Sequence, residues 1–281
     1  MTHPDGGPGG GTVRKDRSVQ VSNTFAAGEK SWRARLGTLR QVVRMELITR
    51  QLAAHVPDRP PRRVLDIGCG QGTQVVRLAG RGHRVTGLDS SESLLGDLER
   101  ALGGADRAVR ERVRLVRGDA RQAASLLAGE QFDVVLCHGV LMYVAGPAEL
   151  LDPVAAVTAP GGLVSLLVRN GDALAMRPGQ LRDWAAADAA FDGSGYQNRI
   201  GVQARADRLA DLTAALAARQ LAVTQWYGVR VLTDLAGDDA PLPAEAELTL
   251  LLSCEERAGS RDPYRGVAPL LHVLARRDAA G

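Results

Sequence analysis

Residues 64–72 read VLDIGCGQG, a short apolar run that passes directly into a turn with three glycines. Such a run predicts a buried strand, and the glycines remove side chains where the backbone must pass close to a ligand. The residues from Thr73 onward predict a helix, whose free N–H groups would face the same place. The stretch therefore predicts a strand, a turn and a helix with a ligand site at the turn. A tight turn without a ligand is the alternative.

Apolar runs and helical stretches alternate from this point onward. Strands are predicted at 63–67, 84–88, 113–117, 132–137 and 162–168, and helices at 74–79, 92–102, 120–127 and 148–157. Parallel strands need crossover connections, and near-continuous apolar runs suit strands that are buried on both faces. The alternation thus predicts an α/β fold, a Rossmann-like and mostly parallel sheet with helices on both faces.

The regions outside this alternation differ in composition. Residues 1–22 are rich in Gly, Pro and charge and are predicted to be a disordered tail, with residues 23–281 forming a single domain. A first helix is predicted from the spacing of its apolar residues, Leu36, Leu39, Val43, Leu47, Ile48 and Leu52. Residues 171–204 show no clean strand and are predicted to be a cap insert. A helix at 206–219 and strands at 222–232 and 270–276 follow.

Composition argues against several functional classes. The 35 basic and 32 acidic residues are interspersed along the 281-residue chain, so no clustered nucleic-acid surface is predicted. The cysteines, Cys69, Cys137 and Cys254, lack metal-ligand spacing, so we expect no metal site and a reducing compartment. The first residues contain no signal-like apolar region, and no apolar run is long enough to span a bilayer. We therefore expect a soluble, cytoplasmic protein without a membrane partner.

The glycine turn also separates two classes of adenosine cofactor. A nicotinamide enzyme would carry G-x-G-x-x-G, whose third glycine packs the helix against the strand beneath a pyrophosphate. Here Thr73 occupies that position. Asp66 precedes the turn, and its carboxylate would oppose a pyrophosphate but attract a cationic amino-acid group. These residues favour S-adenosylmethionine over NAD, and a nicotinamide-dependent oxidoreductase is the alternative from another class.

Polar residues follow the next three predicted strands. Asp89 ends the second strand, where a carboxylate can accept both ribose hydroxyls. Asp119 follows the third strand and is predicted to accept the adenine amino group, to cap the next helix, or both. His138 ends the fourth strand, where the carboxyl edge of the sheet meets the ligand crevice, and a structural role is its alternative. The carboxyl edge of the sheet is therefore the predicted site.

Taken in order, these features resemble the class I S-adenosylmethionine-dependent methyltransferases. The matching features are D-x-G-x-G-x-G at 66–72, the acids Asp89 and Asp119, and the turn Pro160-Gly161-Gly162. The resemblance covers about residues 60–170. It implies a seven-stranded sheet whose last strand is antiparallel, S-adenosyl-L-methionine as the cofactor, and methyl transfer as the reaction.

A further set of matches resembles the tRNA 5-carboxymethoxyuridine methyltransferase family and spans roughly residues 24–277. The matches are Leu39-Arg40-Gln41, the run from His138 to Val144, Ser165-Leu166 with Asn170, Gly228-Val229-Arg230-Val231 with Asp234, and Asp262-Pro263-Tyr264 ahead of His272-Val273. The resemblance implies methylation of a carboxylate on a modified wobble uridine. Carried over residue by residue, it also implies cofactor contacts from Arg40, Gly68, Cys69, Asp89, Ser90, Ala120 and His138, beside Asp66, Gly70 and Asp119.

The methyl acceptor stays open between a tRNA and a small metabolite. The family's lysine-rich stretch corresponds here to residues 196–208, which contain three arginines and no lysine, and Arg169 replaces its aromatic residue. A carboxylate acceptor is already ionised at neutral pH, whereas a hydroxyl would need a general base, for which His138 is the candidate. For an acidic acceptor we expect an arginine clamp from Arg230, with Arg169 and Asn170 as further substrate residues. A surface position for Arg230 and a strand-ending turn for Asn170 are the alternatives.

Overall fold

The computed structural model describes residues 24–279 of the chain. The tail predicted at residues 1–22 lies outside the described residues. The described strands are β1 (Arg63–Ile67), β2 (Arg84–Asp89), β3 (Val113–Arg117), β4 (Phe132–His138), β5 (Thr158–Arg169), β6 (Gly195–Gln197), β7 (Gln203–Arg205), β8 (Leu221–Val229) and β9 (Leu270–Arg277). The strands predicted between residues 63 and 168 are confirmed, apart from small differences at their ends.

Seven of these strands form one sheet in the order β3-β2-β1-β4-β5-β9-β8. Neighbouring strands from β3 to β5 are parallel, and β9 pairs antiparallel with both β5 and β8. The predicted Rossmann-like sheet with an antiparallel last strand is therefore confirmed. The strand order reverses direction between β1 and β4, which leaves a crevice at the carboxyl ends of these two strands.

Helices flank the sheet in the described part of the chain. They are α1 (Thr24–Arg33), α2 (Leu39–Ala53), α3 (Thr73–Gly80), α4 (Glu92–Gly103), α5 (Arg107–Arg110), α6 (Ala123–Leu126), α7 (Ala148–Val157), α8 (Met176–Gln180), α9 (Trp184–Asp192), α10 (Leu209–Ala217) and α11 (Glu245–Gly259). Helix α11 is absent from the sequence prediction, although Glu245 and Glu247 in its first turn are a typical start signal. Within residues 24–279, no helix is both long and apolar enough to cross a membrane.

Apolar side chains cover both faces of the sheet. Along β1, Leu65 and Ile67 pack into one cluster with residues of α6, α7 and α10. Val64 packs into a second cluster with residues of α2, α3, α4 and α11. Because side chains alternate along a strand, Asp66 points to the same side as Val64, towards α2. The fold thus places a carboxylate near the end of β1, on the side of the sheet that α2 covers.

The segment at 171–204 differs from its prediction. It contains α8, α9 and a hairpin of β6 and β7, where no clean strand was expected. A side chain makes the turn of this hairpin: Asn198 Oδ1 accepts hydrogen bonds from the backbone N–H groups of Ile200 at 3.1 Å and Val202 at 3.0 Å. The expectation was wrong because strands of 3 residues are too short to show alternation in the sequence.

The strand predicted at 222–232 ends early, at Val229. Arg230 has a φ of +66°, in the left-handed region, so the chain turns out of the sheet there. The buried carboxylate of Glu255 then accepts hydrogen bonds from the backbone N–H groups of Leu232 and Thr233. Glu255 in α11 thus stabilises the chain where it leaves the sheet. Because Glu255 is distant from β8 in the sequence, local patterns do not predict this strand end.

Candidate active site

The carboxyl edge of the sheet opens into two adjoining cavities of about 340 and about 280 Å³. The larger cavity lies at the ends of β2, β3 and β4, and the smaller one lies between the glycine turn and α2. Both are lined by Trp32, Arg44, Gly68, Gly70 and His138. The predicted site and the crevice at the reversal of strand order therefore coincide.

The glycine turn between β1 and α3 requires its glycines. Gly68, Gly70 and Gly72 have φ values of +70°, +56° and +80°, a region that L side chains rarely adopt. A Cβ on Gly68 would lie 2.2 Å from Val140 Cγ2, and a Cβ on Gly72 would lie 2.2 Å from Leu98 Cδ1. The absent side chains therefore let the turn pack under the loop after β4 and let α3 pack against α4.

Cys69 lies in the same turn and lines the smaller cavity. Its backbone N–H donates to the Leu88 carbonyl at 3.1 Å, which ties the turn to β2. Burial, with Asp66 and Asp89 nearby, raises the pKa of the Cys69 thiol, so the thiol stays protonated and is a poor nucleophile. Among residues 24–279, no three His, Cys, Asp or Glu side chains gather as a metal-ligand set.

Asp66 is 4% exposed and lines the smaller cavity. Within residues 24–279 its carboxyl group has no hydrogen-bonding partner and no nearby cation that acts on its ionisation. Burial, and then the charge of Asp89, raise the pKa of Asp66 to about 8. The group is therefore largely protonated at neutral pH until a cation reaches it.

Asp89 and Ser90, at the end of β2, line the larger cavity. Asp89 Oδ2 accepts a hydrogen bond from the backbone N–H of Gly70 at 2.8 Å, and Oδ1 accepts one from Ser91 at 2.9 Å. Burial raises the pKa of Asp89 despite these two hydrogen bonds. Each carboxylate oxygen has a further acceptor position, so Asp89 can both hold the glycine turn and accept hydroxyl groups.

Asp119 follows β3 and, with Ala120, lines the larger cavity. Its Oδ1 accepts a hydrogen bond from the backbone N–H of Arg121 at 2.8 Å, which caps the short 3₁₀ helix Ala120–Gln122. The Arg121 guanidinium also donates to Asp119, and this bond lowers the pKa of Asp119. The capping alternative is thus confirmed, while a contact with adenine stays a prediction.

Helix α1 covers the carboxyl edge of the sheet with aromatic side chains. Phe25 and Trp32 line the larger cavity, and Trp32 Cη2 lies 3.5 Å from the position of a Cβ on Gly70. Glu29 accepts a hydrogen bond from the Ser91 hydroxyl at 2.9 Å, which fastens α1 to the start of α4. The helix therefore closes the cavity on the side of the glycine turn.

Two arginines one turn apart on α2 have different surroundings. Arg40 is 6% exposed, and its Nη2 lies 2.8 Å from Asp234 Oδ1. Arg44 lines both cavities, and its Nη2 lies 2.9 Å from the position of a Cβ on Gly139. Within residues 24–279, Arg44 has no acidic partner, and its buried Nε has no acceptor. Arg44 is thus a cation in the cavity wall, whereas Arg40 is paired and its cofactor contact stays a prediction.

His138 begins a chain of hydrogen bonds that crosses the sheet. Its Nε2 lies 2.8 Å from Ser165 Oγ, which lies 2.7 Å from His272 Nε2, and His272 Nδ1 lies 2.7 Å from Gln51 Oε1. Because Gln51 Oε1 accepts, His272 Nε2 accepts from Ser165, and Ser165 Oγ accepts from His138 Nε2. Burial, the neighbouring His272 and Arg44 hold the pKa of His138 well below its usual value. His138 is therefore neutral and carries its proton on Nε2.

The three predicted substrate residues lie at the ends of β5 and β8. Arg169 is the last residue of β5, Asn170 follows it, and Arg230 follows the last residue of β8. Arg169 is 8% exposed, and its guanidinium carbon lies 5.2 Å from the centre of the Tyr196 ring. Asn170 is 1% exposed, and its Nδ2 donates to two backbone carbonyls before β9 at 3.0 and 2.8 Å. Arg230 is 9% exposed, and its Nη2 lies 3.4 Å from Asp234 Oδ1. Arg230 is buried rather than on the surface, and the Asn170 amide fastens the loop before β9.

Known proteins resemble the chain in this region. Residues 65–164 match a family model described as a methyltransferase domain. The tRNA 5-carboxymethoxyuridine methyltransferase of Escherichia coli (strain K12) is 34% identical over 141 residues, which are 50% of this chain and 52% of that protein. Trans-aconitate 2-methyltransferase of Paracidovorax citrulli (strain AAC00-1) is 26% identical over 82% of this chain and 92% of that protein. The chain thus spans about half the length of the first of these relatives.

A solved structure shares the fold. Magnesium protoporphyrin IX methyltransferase of Synechocystis PCC 6803, with bound S-adenosylhomocysteine, has a TM-score of 0.60 at 17% identity, over 94% of this chain and 100% of that one. Residues 65–164 thus match a methyltransferase domain, and the chain shares the fold of this methyltransferase structure. The two cavities at the carboxyl edge of the sheet, beside the glycine turn, are the candidate active site.

Arg44, Phe25 and Trp32 are among the cavity-lining residues that the sequence analysis did not predict. Arg44 lies one helical turn after Arg40, so helical spacing was the available signal for it. Phe25 and Trp32 precede the predicted first helix, in a chain with only 4% aromatic residues. Two scarce aromatics beside a glycine- and proline-rich segment were a usable signal for a packed helix there.

Proposed function

We propose that this chain transfers a methyl group from S-adenosylmethionine to a carboxylate oxygen of an acidic acceptor. Arg44 carries this proposal, because it lies in the cavity wall and has no acidic partner within residues 24–279. A partly desolvated guanidinium without an anion is costly, and an acceptor carboxylate would satisfy it. The names of two relatives support an acidic acceptor, since 5-carboxymethoxyuridine and trans-aconitate both carry carboxylates.

The cavity residues fit S-adenosylmethionine, whose sulfonium makes its methyl group transferable. Asp66, which has no partner of its own among the described residues, would bind the ammonium of the amino-acid part. Asp89 would accept the ribose hydroxyls, and Asp119 would lie beside the adenine. The remaining proposed cofactor contacts are Gly68, Cys69, Gly70, Ser90, Ala120 and His138, whereas Arg40 lies outside the lining of both cavities and pairs with Asp234.

We expect Asp66 to lose a proton when the cofactor site fills. With a pKa of about 8 it is mostly protonated at pH 7, and a bound ammonium favours its ionised form. Binding of S-adenosylhomocysteine at pH 7 should therefore release up to about one proton from this group, and affinity should rise by up to about tenfold per pH unit as the pH approaches 8. Calorimetry in buffers of different ionisation enthalpy counts the protons.

Asp66→Asn is the matched control for this titration, because an amide of nearly the same size cannot ionise. The variant should bind S-adenosylhomocysteine more weakly and should lack the proton released by the wild type. Equal proton release from the two proteins at pH 7 would show that another group titrates and that Asp66 does not hold the ammonium.

A carboxylate acceptor simplifies what the protein must do. It is ionised at neutral pH, so the reaction depends on holding two reactants in line in a site closed to water. The Arg44 guanidinium would orient the acceptor, and α1 with Trp32 would exclude water. Neutral His138, held through Ser165, would shape the wall beside the glycine turn without removing a proton.

Methylation of a hydroxyl is the second candidate, and the hydrogen-bond chain of His138 favours it. Because His138 carries its proton on Nε2, its Nδ1, which has no hydrogen-bond partner within residues 24–279, could accept a hydroxyl proton. The lowered pKa of His138 makes it a weak base for this step. The two candidates differ in the product, because alkali hydrolyses a methyl ester to methanol but leaves a methyl ether intact.

The ion pairs of residues 196–208 favour a small acid over a tRNA as the acceptor. The corresponding segment is lysine-rich in the tRNA-modifying family that the chain resembles. Arg199 lies 3.1 Å from Asp238, Arg205 lies 2.8 Å from Asp207, and Arg208 lies 3.9 Å from Asp172. Each arginine of this segment is thus near an acid and is partly neutralised. A tRNA-binding surface needs cations that are free to meet phosphates.

The test uses S-adenosylmethionine with a labelled methyl group, offered with either the small-molecule fraction or the tRNA fraction of a cell extract. We expect label to enter the small-molecule fraction and to leave as methanol after mild alkali. Label that survives alkali would contradict a carboxylate acceptor, and label in tRNA alone would contradict a small one. Tight binding of NADH with none of S-adenosylhomocysteine would overturn the assignment altogether.

A further inference from the structure

Two buried arginines, Arg169 and Arg230, lie near Arg44 but just outside the lining of the two cavities. Resting on the proposed function, we propose that the acceptor is a small acid with a second anionic group, which Arg169 and Arg230 bind beside Tyr196. The first group would be the carboxylate that receives the methyl group at Arg44. The acceptor class is then a di- or tricarboxylic acid, or an acid with a phosphate as its second anion.

The guanidinium of Arg169, buried and unpaired among the described residues, is the main support for a second anion. Arg169 ends β5, is 8% exposed, and has no ion pair with any residue in 24–279. Its buried Nε has no acceptor, and its guanidinium carbon lies 5.2 Å from the Tyr196 ring centre. The ring stabilises the cation only in part, since a guanidinium has five N–H donors that a ring face cannot all satisfy. An anion that enters the site would supply the missing acceptors.

Arg230 is only partly neutralised by its acid. Its Nη2 lies 3.4 Å from Asp234 Oδ1, and the same oxygen lies 2.8 Å from Arg40 Nη2. Arg177 Nη1 also approaches this carboxylate, at 3.8 Å from Oδ2. One carboxylate is therefore shared among three guanidinium groups, and the buried Nε of Arg230 has no acceptor. The surplus of positive charge remains near the site.

The arginines are close enough to influence one another. Burial, with the charges of Arg44 and Arg169 nearby, lowers the pKa of Arg230 to about 10, against the opposing effects of Asp234 and Glu255. Arg230 still carries its charge at neutral pH. Buried cations that repel one another destabilise a protein unless an anion joins them, and such clusters are typical of sites for anionic ligands.

The β6–β7 hairpin limits the size of this ligand. Tyr196 in β6 donates a hydrogen bond to Met142 Sδ at 3.7 Å, and Asn198 Nδ2 donates to the Tyr143 hydroxyl at 3.1 Å. Met142 and Tyr143 line the larger cavity, so the hairpin closes against the wall of the site. It leaves Arg169 only 8% exposed, which is too little for the phosphates of a folded nucleic acid to reach it.

The experiment offers S-adenosylmethionine with butyrate, succinate and propane-1,2,3-tricarboxylate, which differ in the number of carboxylates. Methyl esters are counted by mass spectrometry, and S-adenosylhomocysteine binding confirms that each variant is folded. We expect kcat/KM at least about tenfold higher for the two acids with more than one carboxylate than for butyrate. Arg169→Met and Arg230→Met should each remove most of this preference. Arg107→Met, on the exposed helix α5, should retain it.

Three outcomes would overturn the proposal. They also show whether the second anion site alone is wrong or the carboxylate acceptor is wrong as well. If the wild type esterifies butyrate as well as the larger acids, the carboxylate acceptor stands and the second anion site is wrong. If tRNA takes up alkali-labile methyl and none of the acids does, the second anion is a nucleic-acid phosphate. If neither is methylated while S-adenosylhomocysteine binds, the carboxylate acceptor is wrong as well.

Discussion

Replacing Gly68 with alanine should weaken S-adenosylhomocysteine binding by about 100-fold, which corresponds to about 2.7 kcal/mol. Gly68 has a φ of +70°, and a Cβ there would lie 2.2 Å from Val140 Cγ2. The left-handed backbone costs an alanine about 1–2 kcal/mol, and relieving the clash costs about 1–3 kcal/mol more. Because the turn lines both cavities, the movement that relieves the clash also displaces the binding surface. Calorimetric titration measures the affinity.

Gly161→Ala separates the clash from the backbone strain. Gly161 has a φ of +71°, but a Cβ there would meet no atom within 4 Å. The variant should lose about 1–2 kcal/mol of stability and keep its affinity for S-adenosylhomocysteine. If Gly68→Ala also keeps wild-type affinity, the turn does not form part of the cofactor site.

Replacing Arg44 with methionine should lower kcat/KM for the acidic acceptor by about 100-fold or more. Removing one partner of a buried charged pair costs about 2–5 kcal/mol, and methionine keeps most of the apolar volume. The affinity for S-adenosylhomocysteine should change far less, because Asp66 and Asp89 remain. Rates are measured by ester formation with the acceptor that isotope transfer identifies, at saturating cofactor.

Arg44→Lys is the informative companion variant. It restores the charge but not the planar pair of donors that matches a carboxylate, so activity should recover only in part. A methionine variant with unchanged kcat/KM would remove the main support for a carboxylate acceptor. A variant that instead loses S-adenosylhomocysteine binding would place Arg44 on the carboxylate of the cofactor.

Local patterns predicted the sheet and its carboxyl edge well. The apolar runs of β1, β2, β4 and β5 are buried on both faces, so composition alone marks them as strands inside a parallel sheet. Gly68, Gly70 and Gly72 have positive φ, a requirement that the residue type itself reveals. Asp66 and Asp89 lie at the edge because they end their strands or nearly so. These features depend on a few neighbouring residues, and a sequence displays them directly.

Patterns failed at two strand boundaries for different reasons. The Asn198 side chain that shapes the β6–β7 turn directly follows β6, but strands of 3 residues are too short to show alternation. The end of β8 depends on Glu255 in α11, which is distant in the sequence. Helix α11 is different, since its acidic first turn was visible in the sequence and was overlooked.

The stretch at 64–72 by itself determined the strand, the turn and the place of the candidate site, because backbone conformation and periodicity are local. Only the tertiary structure decided which arginine of α2 faces the cavity. Arg40 is drawn away by Asp234, whereas Arg44 finds no acid in the described residues and lies over Gly139. The hydrogen-bond network from His138 to Gln51 likewise joins four elements, which are β4, β5, β9 and α2. Charge pairing between distant residues depends on the packed fold, and no local pattern encodes it.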